Sequence, residues 1–326
     1  MHHRKFAAWL RLLLVGACLA GIAAPAAAQT YPERPIKLIV PYVPGGGADV
    51  IGRYIAKGLT QSLGQTVIVE NRTGAGGVVG TEYGISQPAD GYTLTLISSS
   101  HTVNPSLYKL KFDSVKDITP IVQVSTGPMV LVVNPRLGAK SVADLVKLAK
   151  DKPDTLNYGS SGTGSVLHLA GALFADRAGI RMTHIPYKGG AAAMTDLVSG
   201  QVDLYFAASA TAMPQVKGGR VLALGVTSAK RVPALPDVPS IAEAGFPGYD
   251  VTLWYGLVGP KGMPAPLVQR INSEVNKLLA TPEAAEKMEI DGAYTAGGTS
   301  EAFGATIGKE VAMWRQVIDK LGLKLD

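Results

Sequence analysis

The sequence predicts an α/β fold in two lobes, and three observations predict it. Short β-branched runs alternate with stretches whose apolar residues recur at helical spacing, the pattern of strands laid side by side under helices. A strand, a glycine elbow and a helix occur together in Lys37-Leu-Ile-Val-Pro-Tyr-Val-Pro-Gly-Gly-Gly-Ala-Asp49, and a comparable loop, Gly159-Ser-Ser-Gly-Thr-Gly-Ser165, stands in the other half of the chain. Two extended stretches, 123–133 and 250–258, lie where the chain must pass between those halves, and read as crossing strands.

In chain order, strands are expected at 36–40, 66–69 and 93–97, with helices beginning at Asp49, where Ile51, Ile55 and Leu59 share a face, and near Gly77. A second series starts at 129–133. Its helices are expected at 141–150, 166–178, 191–199 and 211–217, and its strands at 156–158, 183–187, 202–206 and 221–226. Residues 233–247 are rich in proline and turns. Two amphipathic helices, 266–280 and 300–321, are too few for a third domain and are expected to return to the first sheet. Lobe 1 is thus 29–127 with 252–326, and lobe 2 is 128–251. The alternation argues for a parallel sheet in each lobe, with ligands beyond the carboxyl ends of the strands.

Residues 1–28 read as an export signal. Arg4, Lys5 and Arg11 precede an apolar run over 12–24, and Ala26-Ala27-Ala28 is a small-residue cleavage site that would leave Gln29 at the mature N-terminus. The run is short for a membrane span. Val15-Gly16-Ala17-Cys18 loosely matches a lipobox, but the residues after Cys18 stay apolar where a tether would be polar. Cys18 is the only cysteine and departs with the signal, so no disulfide or thiolate metal site is expected. The formal charge of +6 owes three units to the signal, leaving about +3 on the rest. The Lys and Arg residues are scattered among acids, with no basic stripe interleaved with aromatics, so nucleic acid is not an expected partner.

The two elbows carry the chemistry. Each leaves backbone amides bare at a helix start, where the unpaired N–H groups and the helix dipole attract an anion. In the first, Gly46 and Gly47 are the candidate contacts. Asp49 is most simply the N-cap, or it faces the cleft and bonds a ligand amine, hydroxyl or water. In the second, Ser165 or Thr163 would cap the helix, but four hydroxyls in seven residues exceed what a cap needs, so Ser161, Gly162, Thr163 and Ser165 are candidates for a carboxylate. His168 in the first turn of that helix, and His101 after Ser98-Ser99-Ser100 at a strand end, are each either ligand contacts or packed residues. His184, within a strand, reads as structural. Tyr187 ends a strand and is placed to line the cleft. Lys188 adds charge or is solvated. Asp203 either bonds turn amides or reaches the ligand.

Enzyme and metal signatures are missing from the sequence. Gly159-Ser-Ser-Gly162 has the wrong spacing for a nucleophile elbow, no Gly-Lys-Ser/Thr ends a phosphate loop, and no His-Glu-x-x-His or other metal-ligand spacing exists. The polar groups suit holding an anion rather than transforming it. No cofactor is expected.

A set of motifs in fixed order then resembles one family along essentially the whole mature chain. They are Tyr31-Pro-x-Arg-Pro-Ile with Pro44-Gly-Gly-Gly-x-Asp49, Val69-Glu-Asn-Arg-x-Gly-Ala-Gly-Gly77, Asp90-Gly-Tyr-Thr-Leu94 and Asn104-Pro-x-Leu-Tyr108. Gly164-Ser-x-x-His-Leu169, Pro186-Tyr-Lys-Gly189, Leu224-x-Val-Thr-Ser-x-Lys-Arg231 and Pro236-x-Val-Pro-Ser240 follow. The chain resembles the Bug-type extracytoplasmic solute receptors, the binding proteins of tripartite tricarboxylate transporters. The resemblance implies a two-lobed periplasmic binding protein fold of the second structural type, with doubly wound sheets, and a monomeric receptor. It implies a small carboxylate or related solute held between the lobes by Gly46, Gly47 and Asp49 with Ser99 nearby, and by Ser161, Gly162, Thr163, Ser165 and His168. The implied partner is a membrane permease; the alternative is a sensor kinase on which the closed complex docks. Thr73 stands where proline is usual, and Ala207-Ala208 follow Phe206 where many members carry a polar residue, which implies a less polar wall.

Overall fold

A strand-first layout organises the chain. The computed structural model describes residues 31–290 and 293–323, so the expected signal, with Cys18 and the cleavage site before Gln29, lies outside the described residues. From Arg34 onward the chain forms one unit. Strand β1 (Ile36–Val40) is buried except at Lys37 and pairs in parallel with β2 (Val67–Asn71) and β3 (Thr93–Ser98). Helix α1 (Gly47–Leu63) follows β1, and α2 (Val78–Ile85) follows β2. A short helix α3 (Ser100–Leu107), not foreseen because Pro105 interrupts its pattern, follows β3.

The second half repeats the plan. Helix α4 (Val142–Asp151) leads to β5 (Asn157–Ser160), α5 (Val166–Ala178), β6 (Thr183–Pro186), α6 (Gly190–Ser199), β7 (Leu204–Ala208), α7 (Ser209–Lys217) and β8 (Leu222–Val226). Between the halves runs β4 (Ile118–Val133), and β9 (Thr252–Pro260) comes back beside it. The chain ends in α8 (Ala265–Leu279), α9 (Pro282–Ile290), β10 (Tyr294–Gly297) and α10 (Ser300–Leu321).

The strand order is β2-β1-β3-β9-β4-β7-β5-β6, with β8 and β10 also paired to β4. The fold is the two-lobed α/β class that the sequence predicts, but the all-parallel sheet needs correction. Ile118–Pro128 pairs antiparallel with β9, and Met129–Val133 pairs antiparallel with β7 and β8. A chain that leaves one half on β4 and comes back on β9 must lay these two strands in opposite directions. Only the flanks, β2-β1-β3 and β6-β5-β7, stay parallel, because helices cross over between their strands.

Where the strands pass between halves, Thr227 ties them together. Its amide donates to Met129 O at 2.9 Å, and its hydroxyl accepts from the Met129 amide at 2.8 Å. The same hydroxyl donates to Val251 O at 2.6 Å, and Thr227 O accepts from the Val251 amide at 2.9 Å. The C-terminal helix α10 covers both cores. Phe303 and Ile307 pack with Ile97, Ile118 and Trp254, while Trp314 and Ile318 join the larger core built on Met129–Val133 and β7. Lys320 Nζ lies 2.6 Å from Asp176 on α5.

Candidate solute-binding cleft

A cavity of about 420 Å³ opens at the carboxyl ends of the strands. Its floor is the paired strands β4 and β9, through Ser125, Gly127, Pro128, Leu253 and Tyr255. One wall carries Tyr42, Gly45–Gly47, Val50 and Ile51, with Ser98 and Ser100; the other carries Ser161, Leu167, Gly190, Ala191, Tyr205 and Ala208 to Thr211. Among the described residues, none that lines the cavity bears a charge.

Four helix starts meet there. Gly46 and Gly47 are the N-cap and first residue of α1, and Ser98 and Ser100 flank the start of α3. Gly190 and Ala191 open α6, and Ala208 and Ser209 open α7. No side chain caps α1, α6 or α7. Among the described residues α4 is capped by Ser141, α5 by Ser165, α9 by Thr281 and α10 by Thr299, and of these helices only α5 reaches the cavity, through Leu167 in its first turn. Uncapped amides carry the positive end of the dipole and need an acceptor, so the cavity is a cradle for an anion's oxygens. Burial raises the pKa of the Tyr42 hydroxyl despite its bond to Ser98, and raises that of Tyr205, with the neighbouring Tyr255 adding to it. Both stay protonated and able to donate.

Gly46, Gly47 and Ser161 lie on this cavity, as proposed from the sequence. Asp49 does not, and it is not the N-cap. Gly46 holds that place, and Asp49 lies in the first turn, 4% exposed. Its carboxylate turns back on the elbow: Oδ2 accepts from the Gly45 amide and from Arg53 Nε at 2.9 Å each, and Oδ1 accepts from Asn71 Nδ2 at 2.9 Å. Burial alone would raise its pKa, but the bonds from Arg53, Gly45 and Asn71 outweigh that and hold it low. Asp49 is the brace of the first elbow.

Ser99 is displaced by one position. Its amide donates to Trp254 O at 3.0 Å, while its neighbours Ser98 and Ser100 face the cavity. His101 turns away altogether. Its Nε2 meets Ser114 O at 2.8 Å, its ring stacks with Phe112, and burial pushes its pKa down to about 4.

The second loop spends most of its polar groups on itself. Ser165 accepts from the His168 amide at 3.2 Å and donates to Gly162 O at 2.8 Å, so it is the cap and the loop's fastener. Gly162, at φ +134°, and the exposed Thr163 do not line the cavity. His168 Nδ1 accepts from the Gly164 amide at 3.2 Å, and its ring stacks on His184 with centroids 3.8 Å apart. His184 Nε2 meets Ser160 Oγ at 2.7 Å. Burial, then the neighbouring His184, pushes the His168 pKa down to about 3, and burial pushes His184 to about 4. Tyr187 also misses the cavity, since its hydroxyl donates to Asp196 at 2.7 Å. Asp203 sits at the amino end of β7, where Oδ2 accepts from the Asn157 amide at 2.7 Å.

Sequence reasoning missed the starts of α6 and α7, although Gly189-Gly190 and Ala208-Ser209 both follow strand ends, where ligands gather. It also missed Tyr42, Ser125, Tyr205 and Tyr255, which sit on or beside strands and carry no local signature. Ala208, one of the residues marked as less polar than usual, does line the cavity.

A two-lobed α/β chain with a cleft at its strand ends has the architecture of a periplasmic binding protein. Residues 51–323 match the tripartite tricarboxylate transporter family receptor, and the chain belongs to that family. It is similar to the solved periplasmic binding protein BugD, at 35% identity and TM-score 0.82 over 90% of this chain and 100% of that one. It is similar to Rpa4515 of R. palustris, solved with adipate, at 34% identity and TM-score 0.84 over 90% and 100% of the two chains. It is also similar to MatC (Rpa3494) of Rhodopseudomonas palustris, solved with bound malate, at 29% identity and TM-score 0.81 over 88% and 100%. Members of this family are solute receptors rather than enzymes. No helix among the described residues is long and apolar enough to cross a membrane.

Proposed function

We propose that this receptor is exported, cleaved before Gln29, binds a small carboxylate in the cleft and delivers it to the membrane permease of a tripartite tricarboxylate-type transporter. One observation carries the reading: helix starts from both walls meet on a cavity that no charged side chain among the described residues lines. A carboxylate satisfies those amides, and a cation does not. The adipate and malate in the two similar structures fit the same chemistry.

Lobe 1, 29–127 with 252–326, and lobe 2, 128–251, close on the solute by twisting the joining strands. Hydroxyls and amides, not an ion pair, orient the carboxylate. A thermal-shift screen against mono-, di- and tricarboxylates tests the binding. A ligand at 100 times its Kd stabilises the protein by about 2.7 kcal/mol, a rise of several degrees in Tm for a chain of this size. A screen in which amino acids or cations shift Tm and no carboxylate does would sink the reading. Uptake of the labelled ligand by cells lacking the receptor tests delivery; undiminished uptake would separate binding from transport.

A further inference from the structure

Behind the cleft, the C-terminal helix α10 brings two side chains onto one tryptophan. Phe303 meets the Trp254 ring edge-on, with centroids 5.3 Å apart. Two turns further along the helix, Glu310 takes the indole N–H: Trp254 Nε1 donates to Oε1 at 2.9 Å and to Oε2 at 3.0 Å. The Thr102 hydroxyl on α3 lies 3.0 Å from Glu310 Oε2 and donates to Ser99 O at 2.7 Å. The Ser99 amide in turn donates to Trp254 O at 3.0 Å. Glu310, Trp254, Ser99 and Thr102 thus close a ring, and the last three are buried. Burial raises the Glu310 pKa against the bonds from Trp254 and Thr102, which lower it. A desolvated carboxylate is costly to keep, and among the described residues this one pairs with an indole and a hydroxyl rather than with a cation.

The ring stands directly behind the cavity. Ser98 and Ser100 flank Ser99 and line the cleft, and Leu253 and Tyr255 flank Trp254 and line it too. The ladder between β3 and β9 ends at Ser98, opposite Tyr255. The chain then turns into α3, and the ring takes over where the ladder stops. We propose that Glu310 is a positioning residue for solute binding: from behind the cleft it pins the start of α3 to β9, and so sets Ser98 and Ser100 against Tyr255. The inference rests on the receptor reading and names what fixes one of its helix starts, since binding groups are precise only when the groups behind them are held. Removing the carboxylate orphans a buried indole N–H and loosens Thr102, while every group that lines the cleft stays in the chain. Glutamine keeps the ring closed: its oxygen accepts from Trp254, and its NH2 donates to the Thr102 hydroxyl, which still donates to Ser99 O.

The test compares wild type, Glu310→Met, Glu310→Gln and Thr102→Val, by calorimetry with adipate and malate as probes and by amide hydrogen exchange without solute. Glu310→Met is expected to weaken the tighter probe about tenfold, the scale of one lost hydrogen bond. Its Ser99 amide is expected to exchange about tenfold faster or more, with the amides of β5 and β7 unchanged, because the opening is local. Glu310→Gln is expected to restore both values. Thr102→Val opens the ring from its other side with little change in volume and is expected to repeat both losses, which keeps the test decisive where the methionine variant fails to fold. Three outcomes overturn the inference and leave the receptor reading intact: wild-type affinity when the ring is opened, a loss that glutamine does not restore, or exchange that quickens equally across the molecule. Wild type that binds neither acid sinks the small-carboxylate reading alone, and exchange at Ser99 then decides the pin.

Discussion

The two elbows look alike in sequence and are built differently. The first is braced by one carboxylate: Asp49 gathers Gly45, Arg53 and Asn71, and this frees Gly46 and Gly47 to face the cleft. The second is braced by neutral groups. Ser160, Ser165 and the stacked His168–His184 pair hold its backbone, and only Ser161 among its candidates reaches the cavity. In both loops the residues with the most chemistry hold the loop, and plainer neighbours line the cavity.

The brace chemistries separate on the pH axis, and this is the largest expected effect. His168, His184 and His101 are held neutral, with native values of about 3, 4 and 4 against 6.5. Below pH 6.5 the unfolded chain therefore binds more protons, and stability falls with falling pH until the native values are reached. The slope is at most about 1.4 kcal/mol per pH unit per histidine, smaller for the half-buried His184. Acidification from pH 6.5 to 4.5 is expected to cost on the order of 5 kcal/mol. The Asp49 carboxylate, held low, contributes its share of stability above the usual carboxylate range and loses it only under stronger acid. Urea midpoints between pH 7.5 and 4.5 check this; a flat profile would mean the histidines are solvated.

Next in size, Asp49→Ala is expected to lower stability by about 3 kcal/mol, since buried bonds to a charged group are worth about 1.5–3 kcal/mol each and the half-exposed Arg53 adds little. Asp49→Asn should recover part of that loss, because it retains an acceptor. Chemical denaturation measures both, and a loss under 1 kcal/mol for the alanine would mean that the first elbow holds itself without its carboxylate.

The smallest effects sharpen the contrast on the second loop. Ser165→Ala removes a cap and is expected to cost about 1 kcal/mol. Lys188→Ala, at an exposed position, should change stability by under about 0.5 kcal/mol and leave carboxylate affinity unchanged by calorimetry. A tenfold loss of affinity in Lys188→Ala would replace the amide cradle with an ion pair.

The fold was legible because its signals are local and repeated. Helices 166–178 and 300–321 and strand 36–40 have the bounds read from their patterns. The antiparallel centre was not legible, since pairing direction follows from how the chain comes back, and no residue in β4 or β9 records it. The cavity was half legible. Glycines at a helix start announce bare amides wherever they occur. Ser125 and Tyr205 look like ordinary strand residues until two distant strands meet. Asp49, Ser165 and His168 stayed open between two roles for one reason: a polar side chain beside a bare loop serves the loop or the ligand, and the spacing is the same for both.

The uncharged lining also bears on how long a solute stays. Fixed peptide dipoles need no counter-ion while the cleft is empty, and no salt bridge has to break when it empties. Departure is then governed by hydrogen bonds that water replaces one at a time. Such a lining suits a carrier that must release what it holds.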